Sequence, residues 1–254
     1  MTIALSVNLN KIALIRNSRA GNYPDVLAHG RTCLAAGAHG LTVHPRPDQR
    51  HIRASDIAPM STLIREFPKA EFNIEGNPFA PPLGSYPGLL ALAESNRPHQ
   101  CTLVPDTQQQ LTSDHGFDLR ADGGRLQPII HQLQEWGVRV SLFMDPDLEQ
   151  IRLAQQLGAD RIELYTGPFA EAYGLRAANL DEVYQQYVEA AQLAMELGLG
   201  INAGHDLNLD NMTLFRALPG LQEVSIGHAL TVEALQMGLV DTIKAYLTLC
   251  EHPA

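Results

Sequence analysis

The sequence predicts an α/β protein, a (β/α)8 barrel, on three observations. Its 254 residues suit one barrel of about 250 residues. A weak repeat joins a helical stretch ending in glycine to a short β-rich run: LAAGAHGLTVHP at 34–45, QEWGVRVSLFM at 134–144, AQQLGADRIELYTG at 154–167 and AMELGLGINAGH at 194–205. Strand candidates alternate with helical patterns, which implies parallel βαβ units. We therefore expect a single domain over 1–254; an open doubly wound sheet is the alternative, but no GxGxxG or phosphate-loop sequence supports it.

The first strand is expected at 3–9, where Leu5, Val7 and Leu9 alternate with Ser6, Asn8 and Asn10. A helix over 24–36, closed by Gly37, leads to strand 39–44. Helix 55–66 then precedes strand 71–75, and helix 86–95 precedes strand 99–104. Helices 124–136, 147–157 and 179–197 end at Gly137, Gly158 and Gly198, residues suited to a left-handed helix terminus, and lead into strands 138–143, 159–164 and 199–203. Helix 208–217, strand 223–227 and a last helix over 230–249 complete eight units.

Alternation assigns Leu41, Val43, Phe72, Ile74, Ile162, Leu164, Val224 and Ile226 to faces against helices. The opposite faces carry Asn8, Asn10, Thr42, His44, Asn73, Glu75, Glu163 and Ser225. Barrel interiors are usually filled by branched apolar residues, so this one is unusually polar. Buried polar groups need partners, here expected to be a polar ligand or ordered water.

Composition narrows the function. Apolar residues make up 45% and charged residues 18%, enough for a sizeable core. The net charge is −10 and the lysines are Lys11, Lys69 and Lys244, with no basic run, which argues against a nucleic-acid partner. No leader pattern and no apolar run near 18 residues is found, so a soluble, cytoplasmic protein without a membrane partner is expected. Cys33, Cys101 and Cys250 lack metal-ligand spacing and are expected as buried free thiols.

Barrel active sites sit at the C-terminal strand ends. There the sequence places Asn8, Asn10, Lys11, His44, Arg46, Glu75, Glu163, His205 and His228. HPRPDQRHI at 44–52 groups His44 and His51 with Arg46 and Arg50, whose planar forks suit phosphate or carboxylate. A metal on His44, His51, His205 and His228 is the alternative, without HxH or HExxH spacing. Glu75, enclosed by the barrel, suits a general base, or else a structural ion pair. Glu163 suits a static electrostatic role, because cations are expected to face it. INAGHDL and SIGHAL follow strands seven and eight, where Gly204 and Gly227 would let backbone N–H groups approach an anion. The polar run 106–124 is long enough to be a lid.

VNxxxIAxxRNxR, TVHxRxDxRHI, NxE, LVPD with LTS, ELYTG, NAGH and IGHA occur here in the order found in the pyridoxine 5′-phosphate synthase family, which the chain resembles from about residue 4 to 245. The resemblance implies a TIM barrel with extra helices, assembled as a homo-octamer. It implies condensation of 1-deoxy-D-xylulose 5-phosphate with 3-amino-2-oxopropyl phosphate to pyridoxine 5′-phosphate, phosphate and water, without metal or organic cofactor. It further implies His44 and Glu75 as an acid/base pair, His205 as proton donor and Glu163 as transition-state stabiliser. Asn8, Arg19, Gly227 and His228 would contact the aminoketone phosphate, and Arg46, His51 and Thr112 the sugar phosphate. Two positions depart from the pattern: Asn10-Lys11 stands where many members read Asp-His, touching the sugar phosphate, and Asp206 stands where many have glycine. The Asp206 side chain is expected to point away from the phosphate turn. Two other classes compete: a Schiff-base aldolase using Lys11, and a non-catalytic phosphosugar-binding barrel.

Overall fold

A computed structural model describes residues 2–251. Eight parallel strands close a barrel in chain order: β1 (Ala4–Asn8), β2 (Gly40–Val43), β3 (Glu71–Gly76), β4 (Gln100–Leu103), β5 (Arg139–Met144), β6 (Arg161–Tyr165), β7 (Gly200–Gly204) and β8 (Leu221–Ile226), with β8 pairing back onto β1. The helices expected between strands form as α2 (Val26–Ala35), α3 (Ala54–Ile64), α4 (Leu89–Asn96), α5 (Leu119–Glu135), α6 (Leu148–Gln156), α8 (Leu180–Glu196) and α9 (Met212–Phe215). Gly37, Gly137, Gly158 and Gly198 all adopt positive φ, which ends each helix and turns the chain into the next strand.

Four helical features differ from expectation. Residues after β1 form α1 (Asn10–Asn17), ahead of the first helix expected, at 24–36. Its N-cap, Leu9, makes no side-chain cap, so no start signal marks it. An additional helix, α7 (Gly167–Gly174), starts with a proline in its first turn, a composition that resembles a loop but suits a helix start. The final helix divides at Gly238 (φ 84°) into α10 (His228–Met237) and α11 (Leu239–Glu251). Helix α5 also begins at Leu119, so the loop after β4 is shorter than 106–124.

The apolar faces lie where alternation assigns them: Leu41, Val43, Phe72, Ile74, Ile162, Leu164, Val224 and Ile226 are buried against the helices. Inside the barrel the polar residues largely satisfy one another, not only a ligand or water. Ser6 Oγ and Thr42 Oγ1 meet at 2.7 Å, Asn73 Nδ2 donates to Thr42 Oγ1 (3.4 Å), and Thr102 Oγ1 lies 3.2 Å from Asn73 Oδ1 and 3.4 Å from Glu163 Oε2. Toward the N-terminal pole, Arg139 pairs with Glu71 and donates to Gln100 Oε1 (3.0 Å). Arg161 donates to Asn202 Oδ1 (2.9 Å) and sits 3.4 Å from Glu223. Cys33, Cys101 and Cys250 are buried free thiols, as composition suggested.

Candidate active site

At the C-terminal end of the barrel a cavity of about 280 Å³ is lined by Asn8, Asn10, Lys11, His44, Arg46, His51, Glu75, Thr112, Glu163, His205, Asp206, Gly227 and His228. Thirteen of the fourteen candidates from the sequence therefore meet in one place. Arg19 is the exception: it is exposed beyond the end of α1 and does not line the cavity. Arg16, three residues earlier, is buried and donates to Asp56 from both terminal guanidinium nitrogens (2.7 and 2.9 Å), so it braces α1 against α3.

The strands explain the convergence. Register pairs Val7 with Leu41 and Val43 with Ile74, so Asn8, His44 and Glu75 leave adjacent strand ends side by side. Asn8 Nδ2 donates to Glu75 Oε2 (3.3 Å), and its Oδ1 accepts from the Asn10 backbone, opening α1. Asn10 thus lies in a helix rather than on the strand, and its Oδ1 accepts from the His44 backbone N–H (2.9 Å). His44 stands between two carboxylates: Nδ1 is 3.7 Å from Glu75 Oε2, and Nε2 is 3.3 Å from Asp106 Oδ2 in an ion-pair contact without hydrogen-bond alignment.

Among the described residues neither of the two barrel carboxyls, Glu75 and Glu163, is paired with an arginine or lysine. Burial raises Glu75 well above the ordinary carboxylate range, helped by the charges of Glu163, Asp106 and Glu223. Burial, with Glu223, raises Glu163 in the same direction. Such groups can hold a proton near neutral pH and exchange it with substrate. The sequence treated Glu163 as facing cations; instead its neighbours are Thr102, Gly204 and other carboxyls. Gly204 has a specific reason to lack a side chain, because a Cβ there would meet Glu163 Oε1 at 2.5 Å. At Gly227 a Cβ would crowd Asn8 at 3.0 Å. Both glycines are needed by side-chain packing as well as by any anion.

The arginines of 44–52 are already engaged. Arg46 pairs with Asp106 and donates to the Gln110 carbonyl (2.7 Å). Arg50 donates to the carbonyls of Gln108 (2.6 Å) and Gln110 (2.9 Å). They tie down the loop after β4, and that loop brings Thr112 Oγ1 to 2.7 Å from His205 Nε2. His51 is not a cation: burial first, then the neighbouring His44, Arg46 and Arg50 charges, push it down to about 3. Its Nδ1 accepts from the Ile52 backbone, so the neutral ring can offer only Nε2–H to a ligand.

Two helix N-termini open on the cavity, α1 through Asn10 and Lys11 and α10 through Gly227, His228 and Ala229. Their free N–H groups and positive dipole ends suit anions. Asp206 does not point away: its Oδ2 lies 2.9 Å from His205 Nδ1. Sequence reasoning did not identify Asp106, which meets His44, or Tyr165, which meets His205; Ser225, assigned to the inward face, lines the cavity. Asp106 follows β4 in the quoted LVPD run, and the strand-end rule that identified Glu75 applies to it equally.

Comparison with known proteins agrees with this architecture. Residues 5–252 match the model of a family described as pyridoxal phosphate biosynthesis protein PdxJ. A pyridoxine 5′-phosphate synthase of Xanthomonas oryzae pv. oryzae is 57% identical over 248 residues, 97% of this chain and 96% of that protein. One from Xylella fastidiosa is 53% identical over 248 residues, 97% and 94% of the two chains. Among solved structures, 3-hexulose-6-phosphate synthase from Salmonella typhimurium superposes with a TM-score of 0.62 at 16% identity, covering 99% of this chain and 100% of that one, a likeness of fold alone.

Proposed function

Because the chain belongs to the PdxJ family of pyridoxal phosphate biosynthesis proteins, we propose that it acts as a pyridoxine 5′-phosphate synthase, condensing 1-deoxy-D-xylulose 5-phosphate with 3-amino-2-oxopropyl phosphate to pyridoxine 5′-phosphate, phosphate and water. The observation that carries this reading is the coexistence, in one cavity, of two buried carboxyls with raised proton affinity and two imidazoles within reach of carboxylates.

Joining an amine to a ketone with loss of water needs a base for nitrogen or carbon protons and an acid for the departing oxygen. Glu75 and His44, 3.7 Å apart, form one exchanging pair; Asp106 on the far side of His44 steadies the imidazolium formed when the pair takes up a proton. His205 supplies the second acid from the opposite wall. Glu163, held by Thr102 and buried beside the reacting atoms, stabilises positive charge developing on nitrogen when it is ionised. Asn8, Gly227 and His228, at the α10 terminus, receive one phosphate. Lys11, with the His51 Nε2–H, Thr112 and the rim of Arg46, receives the other, and Asn10 supports the frame through His44.

We further propose a cytoplasmic homo-octamer. Exposed apolar side chains on α1 (Leu14, Ile15) and on α10 and α11 (Val232, Leu235, Met237, Val240) support self-association. No described helix is long and apolar enough to cross a membrane. The decisive assay mixes purified protein with both substrates and follows pyridoxine 5′-phosphate absorbance together with released phosphate. Both should appear together; no product under conditions where a known synthase turns over would contradict the reading.

A further inference from the structure

His205 and Asp206 are adjacent non-glycine residues that both adopt left-handed backbone, φ 82° and 60°. Such a pair persists only where its surroundings enforce it. Thr166 Oγ1 donates to the carbonyls of Gly204 (2.8 Å) and His205, and Asn211 Nδ2 donates to the Asp206 carbonyl (3.1 Å), so the turn is held on both sides. The result is a line of three side chains: Asp206 Oδ2 is 2.9 Å from His205 Nδ1, and His205 Nε2 is 2.7 Å from Thr112 Oγ1. The Tyr165 ring meets the imidazole edge at 5.2 Å between centroids and limits its rotation.

We propose that Asp206 is a positioning residue for proton transfer by His205, accepting the Nδ1–H so that Nε2, facing Thr112 and the cavity, is the atom that gains and gives the proton. This rests on the reading of His205 as a proton donor. In the neutral ring Thr112 donates its hydroxyl hydrogen to Nε2. After protonation Nε2–H points outward and passes its proton to a departing substrate oxygen, while Nδ1–H stays on Asp206. The carboxylate is never protonated in the cycle, consistent with its lowered proton affinity, caused first by the His205 hydrogen bond and then by the His228 and Lys11 charges. Other charged or titratable groups around this ring are Tyr165 and Glu163 from β6, Lys11 from α1 and His228 from α10.

The test uses Asp206→Asn and Asp206→Gly, both compatible with left-handed backbone. Imidazole 15N NMR, with His205 assigned by its absence in His205→Gln, should put the neutral ring's proton on Nδ1 in the unaltered protein and shift it toward Nε2 in both variants. Turnover should fall about tenfold or more with KM for both phosphates unchanged or lower, and the alkaline limb of the rate profile should move to lower pH. An unchanged tautomer in both variants, or turnover within about twofold of the unaltered protein, would overturn the proposal. Should the unaltered protein make no pyridoxine phosphate, the functional reading fails, and the tautomer alone decides whether Asp206 sets the ring.

Discussion

The two poles of the barrel are built from the same kinds of residue and treat charge in opposite ways. At the N-terminal pole carboxylates meet arginines. Burial pulls Glu71 upward, yet the Arg139 pair outweighs it and Glu71 lies below the ordinary carboxylate range. Glu223, deeper, remains raised by burial although Arg161 and Arg139 oppose it. At the mouth Glu75 and Glu163 pair with no guanidinium among the described residues; Arg46, which lines the same cavity, is spent on Asp106. The difference teaches that arginine pairing keeps one pole structural, while withholding it at the other leaves carboxyls that can trade protons.

The largest effect should come from breaking the mouth. Glu75→Gln, His44→Ala and His205→Ala should each lower turnover by at least about 10²-fold, the scale of a lost acid or base, in steady-state assays. Near-normal turnover in any of them would remove that residue from the proton path. At the opposite pole, Arg161→Met should leave turnover within about twofold. It should lower unfolding free energy by about 2 kcal/mol, because Glu223 loses its partner, as denaturant titration can check.

The comparison also predicts a pH dependence. The unfolded chain ionises its glutamates near about 4.3, whereas folded Glu75 and Glu163 hold their protons to higher pH. Between those limits the folded state binds more protons, so stability falls as pH rises above the unfolded value. Glu75→Gln should therefore raise the melting temperature more at pH 8 than at pH 5, while abolishing activity. Equal shifts at both pH values would mean that Glu75 is ordinarily ionised. The smallest effect belongs to the loop after β4: Arg50→Ala should increase its protease cleavage several-fold and cost less than about tenfold in turnover, since Arg46 still holds Gln110. Cleavage unchanged by the substitution would show that the loop is held elsewhere.

Strand order, helix ends and the rim were legible because local chemistry announces them. A glycine after a helical stretch must take positive φ, and alternation along FNIEG or RIELYTG assigns faces before any fold is known. Helix α1 was hidden by its missing cap, and α7 by glycine and proline. At the site, residue types could indicate that Arg46, His51 and Asp206 gather, but not what each holds. Arg46 turned out to clamp Asp106, burial made His51 neutral, and Asp206 faced His205 because its turn is left-handed. The contacts of Arg46 with Gln110 and of Thr112 with His205 span 64 and 93 positions, so the linear pattern carries no trace of them.

The central claim is that uncompensated burial makes the mouth carboxyls proton carriers. Side-chain 13C NMR of labelled glutamates, titrated with pH and assigned through Glu75→Gln, Glu163→Gln and Glu71→Gln, measures it directly. The account predicts that Glu75 and Glu163 ionise well above an exposed glutamate and Glu71 below it. Three glutamates titrating together near about 4.3 would contradict it.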